Sequence, residues 1–302
     1  MNRGYQIAWW LALLAVVLIQ IPPALLMLLY PLINTYLASL VGECFLFVPI
    51  GIGMLLLYTN GTPLAVECCF DKSRTGYYIV LPLAVSRFII LAMVPLNALL
   101  NLLFGPQPDE FMGMQTAGDI LLAFAVLCIA APVLEELLCR GVMMKLLEPY
   151  GALAAIFISA LIFTMMHMDI RSMAPIFFLG ILFGLVRYSS GSLLACIIMH
   201  AVFNGVSLLT MLLYELQAVW VDGLSVFFTV ALAALAPVLL WRYFKTENGL
   251  WRVAVTAPGA AKIGVSVGSI LFLALVVLFN GAVMINWIVS GDWMNYFSQS
   301  GF

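Results

Sequence analysis

The chain has 302 residues, of which 65% are hydrophobic and only 9% charged, and its mean hydropathy is +1.15. Soluble domains carry about 25% charged residues, so this chain lacks the polar surface of a soluble protein, and its apolar excess also excludes intrinsic disorder. Its 12 basic and 14 acidic residues include no basic tract, which excludes a nucleic-acid-binding protein. Long unbroken apolar stretches exclude a β-barrel and predict an all-α, polytopic helical membrane protein.

Stretches long enough to cross about 30 Å of hydrocarbon, at about 1.5 Å per residue, recur along the whole chain. We expect nine transmembrane helices, with the sixth the shortest. They are placed at residues 6–30, 36–58, 78–104, 118–146, 150–168, 172–188, 192–217, 224–244 and 264–289. No linker, low-complexity tract or internal repeat is evident. Residues 1–302 are therefore expected to form a single membrane domain.

Basic residues fall almost entirely in alternate loops, and short loops rich in Lys and Arg stay cytoplasmic. Nine of the twelve lie on the cytoplasmic side if the amino terminus is cytoplasmic. These nine are Arg3, Lys72, Arg74, Lys145, Arg187, Arg242, Lys245, Arg252 and Lys262. We therefore predict an integral multi-pass protein with its amino terminus inside and its carboxy terminus outside, in the plasma or inner membrane if the host is bacterial.

The fourth span carries the densest group of ionisable residues. Each such residue costs at least about 2.5–3.5 kcal/mol at the centre of a membrane helix, which makes it a candidate for function. Glu135 and Glu136 are adjacent, and Arg140 stands four residues after Glu136, where it can neutralise that carboxylate. Glu135 then projects about 100° away around the helix. Pro132 cannot donate to the carbonyl of Cys128, which predicts a kink just before the two acids.

Both histidines of the chain lie within predicted spans. His167 follows Phe163 by four residues in the fifth span, and Asn204 follows His200 by four residues in the seventh, so each pair shares a helix face. A carboxylate and an imidazole together can activate a water molecule. A second imidazole with an amide can donate hydrogen bonds to a developing oxyanion.

Helix length predicts that Glu135 and His167 lie at the same membrane depth, because each is sixteen residues from Gly151 in the turn between spans four and five. His200 reaches a similar depth from the cytoplasmic end of span seven. Glu135, His167 and His200 also form a plausible three-ligand set for zinc with an open position for water. The chain contains no GxSxG, HExxH or Walker sequence.

Three motifs thus occur in order on successive predicted helices. They are Glu135-Glu136-xxx-Arg140, Phe163-xxx-His167 and His200-xxx-Asn204. Together they resemble the CAAX-protease and bacteriocin-processing (CPBP, or Abi) family of intramembrane endopeptidases. Gly180-xxx-Gly184 and the Ser190–Leu193 segment also resemble that family's third motif region. The resemblance covers about residues 118–210, the expected catalytic core, and residues 1–117 and 211–302 are expected to supply additional spans.

The resemblance implies that Glu135 and His167 activate a water that attacks a peptide carbonyl, while His200 and Asn204 stabilise the tetrahedral oxyanion. It also implies a membrane-associated peptide or protein as substrate and the lipid bilayer as the setting, with no nucleic acid involved. By analogy the substrate is a prenylated CAAX protein or, in a bacterium, a leader peptide, bacteriocin or membrane-anchored regulator.

Glu136 and Arg140 are implied to be the supporting pair that orients the site and balances its charge. The family has been described as metal-dependent, so both a glutamate mechanism and a zinc mechanism stay open. We favour the metal-free mechanism, because the adjacent Arg140 and the lack of a spare carboxylate base both disfavour a dication.

Two other classes of function compete with the protease. A non-catalytic membrane scaffold or bacteriocin-immunity protein would keep these motifs for structure alone. A proton-coupled transporter would use Glu135 and His167 as a relay, although paired repeats are lacking. Gly180 and Gly184 are interpreted as a small face for close helix packing. Other intramembrane polar residues can pair with each other or line a substrate path, and they are Glu43, Arg87, Asn97 and Asn101.

Overall fold

A computed structural model of the chain describes residues 3–61, 70–105, 116–215, 220–247 and 266–291. The regular secondary structure in these ranges is entirely helical, as predicted. We number the main helices α1 (Arg3–Leu29), α2 (Thr35–Phe45), α3 (Phe47–Thr59), α4 (Thr75–Ala92), α5 (Val94–Phe104), α6 (Ala117–Tyr150), α7 (Ala152–Met166), α8 (Ile170–Ser190), α9 (Leu193–Glu215), α10 (Trp220–Glu247) and α11 (Val267–Ser290).

Eight helical stretches of the described chain are long and apolar enough to cross a membrane, and each overlaps a predicted span, although the predicted third span, 78–104, is divided between α4 and α5. The predicted fifth span is α7, whose 15 residues extend only about 22 Å. The expectation that the sixth span is the shortest is therefore wrong, since α8 has 21 residues. Asp169 caps α8 by accepting from the backbone N–H of Arg171, so the helix begins at charged residues that the sequence suggested as loop.

The helix that carries both glutamates, α6, is continuous over 34 residues but is not regular throughout. Two π-helical stretches, Ala125–Ala130 and Leu137–Met143, flank the regular segment Ala131–Glu136. Pro132 lies in the first turn of this segment, directly after the first π-helical stretch, and it has no backbone N–H to donate. The irregularity predicted at the proline is thus a change of helix type. Such stretches recur at functional sites, because they re-aim the side chains that follow.

The α7–α8 hairpin packs closely, and two glycines of α8 allow it. A Cβ atom at Gly180 would lie 3.1 Å from the Cβ of Ala160 on α7, and one at Gly184 would lie 3.0 Å from Cγ2 of Ile156. These spaces are too small for a side chain unless the neighbour moves, so the packing interpretation of the glycine pair is confirmed. The close approach of α8 brings its backbone next to α6, where the candidate site lies.

Candidate active site

A buried ion pair on α6 forms the base of the site. Arg140 Nη1 donates to Glu136 Oε1 over 2.8 Å, and the two side chains are 1% and 0% exposed. Arg140 Nη2 donates to the carbonyl of Gly180 over 3.0 Å. The rings of Phe163 and Phe183 lie 4.4 and 5.4 Å from the guanidinium carbon. Arg140 therefore neutralises Glu136, as its spacing predicts, and is held by α7 and α8 as well.

His200 of α9 bridges the two glutamates. Its Nδ1 lies 3.0 Å from Glu136 Oε1, and its Nε2 lies 3.8 Å from Glu135 Oε2. Since an ionised carboxylate can only accept, Nδ1 is the donor to Glu136 and Nε2 is turned toward Glu135. The distance of 3.8 Å is too long for a hydrogen bond, so His200 and Glu135 interact electrostatically and leave both atoms available to a third group.

Glu135 has an unpartnered oxygen inside the protein. Within the described chain its Oε2 is buried and has no hydrogen-bond partner. Burying a carboxylate oxygen in this way is costly, and groups of this kind in a native structure call for a functional or structural explanation. Glu136 also keeps one buried unpartnered oxygen, but its other oxygen is bound by Arg140 and His200. Glu135 is therefore the glutamate that remains free to react.

A third carboxylate, Glu43 of α2, belongs to the same electrostatic environment. Glu43 interacts with Glu135 through its charge, and its Oε2 is likewise buried without a partner in the described chain. Helix α2 packs against the Ala131–Glu136 segment. From sequence, Glu43 was only one of several intramembrane polar residues. Its distinguishing signal is that it is the single acidic residue of the first two predicted spans.

His167 lies just beyond the end of α7, with its side chain exposed. Its Nδ1 is 2.9 Å from the carbonyl oxygen of Phe163, which can only accept, so Nε2 of the neutral ring is a free acceptor. The Phe163 ring packs edge-on against His167 and His200, with centroid distances of 5.1 and 5.7 Å. Among the described residues no hydrogen bond or ion pair joins His167 to Glu135. The structure thus places His167 at the edge of the site.

The turn after His167 is held by the last helix. Met168 has a left-handed backbone with φ of 59°, which is unfavourable for a residue with a side chain. Asn280 of α11 donates from Nδ2 to the Met168 carbonyl over 3.1 Å and accepts from the Ile170 N–H over 2.9 Å. Asn280 is only 7% exposed. It was not among the residues predicted for the site, although a lone asparagine in an apolar span is a recognisable signal.

Asn204 stands one helical turn after His200 on α9. Its Nδ2 donates over 2.8 Å to the carbonyl of Leu127, which lies in the first π-helical stretch of α6. A side-chain amide carries two donor hydrogens, so one remains after this bond. In this structure Asn204 therefore ties α9 to α6 and keeps one donor for another acceptor.

The zinc alternative requires Glu135, His167 and His200 to converge on one point. Among the residues that the structure describes, no group of three or more His, Cys, Asp or Glu side chains is arranged to hold a metal ion. Glu135 and His200 face each other, whereas His167 packs edge-on against the Phe163 ring and, among the described residues, has no hydrogen bond or ion pair with Glu135. These residues do not fit a zinc site in this arrangement, and no step below passes through a metal.

Residues 117–206 match the family model of the Type II CAAX prenyl endopeptidase Rce1-like proteins. The match begins at the first helical residue of α6 and ends two residues after Asn204, so it includes all six predicted site residues. Glu43 and Asn280 lie outside it. No curated protein and no solved structure matches the chain.

Proposed function

We propose that the chain is an intramembrane protease of the Rce1-like (CPBP) type, whose family model residues 117–206 match, and that it hydrolyses a peptide bond near the cytoplasmic side of the membrane. The observation that carries the proposal is the unpartnered Oε2 of Glu135, which faces Nε2 of His200 at 3.8 Å. A carboxylate in this position can accept a proton from a water molecule that lies to one side of the pair and contacts both groups.

In the proposed first step, the water oxygen attacks the peptide carbonyl carbon as Glu135 takes one of its protons. A tetrahedral intermediate forms, and the carbonyl oxygen becomes an oxyanion. In the second step the proton passes from Glu135 to the leaving nitrogen and the C–N bond breaks, which releases an amine and a carboxylic acid. His167 presents a free Nε2 at the edge of the site, where it can assist the proton transfer.

We assign stabilisation of the oxyanion to His200 and Asn204. Nδ1 of His200 donates to Glu136, so Nε2 acts as a donor to the oxyanion when it too carries a proton. Asn204 contributes the amide hydrogen that Leu127 does not use. One such preorganised donor is typically worth about 10²–10³ in kcat.

Glu136 and Arg140 support the site from below. Glu136 orients the His200 ring, and Arg140 balances the charge of Glu136 while it bonds to the α8 backbone. Because the guanidinium is enclosed by Phe163 and Phe183, the pair is shielded from water. This shielding strengthens every electrostatic interaction within the site.

The proposed substrate class is a membrane-associated peptide or protein, either a prenylated CAAX protein or a bacterial leader-type peptide. The test uses purified full-length protein in liposomes with three peptide pools: prenylated CAAX peptides, the same peptides without the prenyl group, and leader peptides. Mass spectrometry of the products identifies the cleaved bond. Cleavage of prenylated peptides alone supports the CAAX assignment, and cleavage of leader peptides supports the bacterial alternative.

A non-catalytic scaffold or immunity protein is the competing function, and the same reconstitution separates the two. The protease requires new termini at one defined bond in at least one pool. A scaffold predicts no product from any pool, together with a cellular phenotype that survives Glu135→Gln. Metal analysis of the active preparation addresses the zinc mechanism, because full activity with far less than one zinc per chain would remove that mechanism.

A further inference from the structure

A cavity of about 390 Å³ lies between α4, α9 and α10, and none of the candidate-site residues lines it. Its walls are mainly apolar, with side chains such as Leu83, Val206, Leu213 and Phe228. Trp220, at the start of α10, is 59% exposed beside it, so the cavity opens toward the surroundings of the helices. In a membrane those surroundings are lipid.

One charged side chain faces this apolar space. Among the described lining residues Arg87 of α4 is the only charged one, and it forms no hydrogen bond or ion pair with any residue that the structure describes. Thr210, Ser225 and Thr229 line the same cavity. A half-buried guanidinium in apolar surroundings calls for an anion, because the low dielectric makes an uncompensated charge costly.

The cavity lies near one end of its helices. Thr210 is five residues before the end of α9, which is about 8 Å along the helix, and Trp220 is the first residue of α10. Tryptophan is typical of the zone where the hydrocarbon meets the headgroups. Arg87 is thus placed within reach of the lipid headgroups, and the apolar walls extend from there into the hydrocarbon.

We propose that this cavity binds an anionic phospholipid, with its phosphate on Arg87 and one acyl chain along the apolar cleft. A guanidinium presents paired N–H donors that match phosphate oxygens, and the hydroxyls of Ser225 and Thr229 can supply further donors, whereas that of Thr210 donates to the Val206 carbonyl over 2.7 Å. Arg87 has no acidic neighbour in the described chain, so the cavity favours a lipid with net negative charge over a zwitterionic lipid, which brings its own cation.

Native mass spectrometry of the purified full-length chain tests this site. Phosphatidylglycerol and phosphatidylcholine with the same acyl chains are titrated separately. Wild type should bind the first phosphatidylglycerol more tightly than phosphatidylcholine, and Arg87→Gln should weaken phosphatidylglycerol binding about fivefold. Arg87→Lys should keep most of the preference. The matched control is Arg242→Gln, an exposed arginine of α10 outside the cavity, which should change nothing.

A second variant keeps the charge and fills the space. Thr210→Phe should reduce phosphatidylglycerol binding while Arg87 is intact, because the larger ring occupies the path of the acyl chain. Inorganic phosphate at millimolar concentration should not displace the lipid, whereas displacement would assign the site to free phosphate. The proposal is overturned if Arg87→Gln and Arg242→Gln have equal effects, if the two lipids bind equally, or if Thr210→Phe leaves binding unchanged.

Discussion

His200 donates a hydrogen bond from Nδ1 to Glu136 Oε1 over 3.0 Å, although 64 residues separate the two in the chain. This bond joins the histidine of α9 to the glutamate that Arg140 neutralises on α6. Oε1 of Glu136 thereby accepts hydrogen bonds from both the imidazole of His200 and the guanidinium of Arg140. The bond leaves the other ring nitrogen of His200 directed at Glu135. The position of His200 therefore depends on Glu136, a residue that we do not expect to touch substrate.

Glu136→Gln should destabilise the protein by about 3–5 kcal/mol, because it leaves the charge of Arg140 buried without its partner. Cleavage should fall as well, since His200 loses the acceptor that orients it. Thermal unfolding in detergent measures the loss of stability, and a peptide-cleavage assay measures the loss of activity. The matched control is Glu148→Gln, which breaks the exposed ion pair with Lys145 and should cost less than about 1 kcal/mol. Equal losses in both variants would contradict this account of the buried pair.

Asn280→Leu should loosen the turn after His167 and lower cleavage. It removes the side-chain bonds to Met168 and Ile170 while it nearly conserves volume. If the local opening free energy of the turn falls by about 1.4 kcal/mol, hydrogen exchange of the backbone amides over residues 167–172 should quicken about tenfold. The neighbouring variant Phe279→Leu, at an exposed position, serves as the control. Unchanged exchange in Asn280→Leu would show that α11 does not hold the turn.

Gly180→Ala should destabilise the protein by about 1–3 kcal/mol and reduce cleavage. The new methyl group would lie 3.2 Å from the Cα of Ala160, which is backbone and cannot easily give way, and 3.4 Å from Arg140 Nη2. Gly281→Ala is the matched control, because no atom lies within 4 Å of its added Cβ, and its stability should stay constant or rise by up to about 1 kcal/mol. Similar melting temperatures for the two variants would refute the close packing of α7 and α8.

Asn204→Ala should lower kcat about 10²-fold and leave KM nearly unchanged, if its free amide hydrogen is used in the transition state. The lost bond to the Leu127 carbonyl should also cost about 1 kcal/mol of stability. Steady-state kinetics at several peptide concentrations separate the two constants. A variant that loses stability but keeps the wild-type kcat would show that Asn204 only connects α9 to α6 and does not stabilise the transition state.

The predictions from sequence were most accurate for features that depend on the geometry of a single helix. The length of apolar stretches placed the spans, and the four-residue spacing placed Arg140 against Glu136, because helical geometry fixes both. Contacts between helices were harder. Equal residue counts from Gly151 set the height of Glu135 and His167 but not the direction of their side chains. His167 falls beyond the end of α7, and the ring of Phe163 packs against it.

Two further side chains could not be assigned to the site from sequence. Glu43 and Asn280 come from α2 and α11, far along the chain from the three motifs, and no local spacing connects either of them to the core. Only packing of the outer helices on α6 and on the α7–α8 turn reveals their positions. The additional spans therefore contribute polar groups to the site as well as apolar surface.

The most direct test of the central claim is the cleavage rate of purified Glu135→Gln in liposomes, measured with a peptide that the wild type cleaves at one bond. Glutamine keeps the size of the side chain but cannot accept the proton of water, so we expect loss of detectable cleavage with a wild-type melting temperature. Cleavage of the same bond at a rate close to that of wild type would contradict the role of Glu135 as the base.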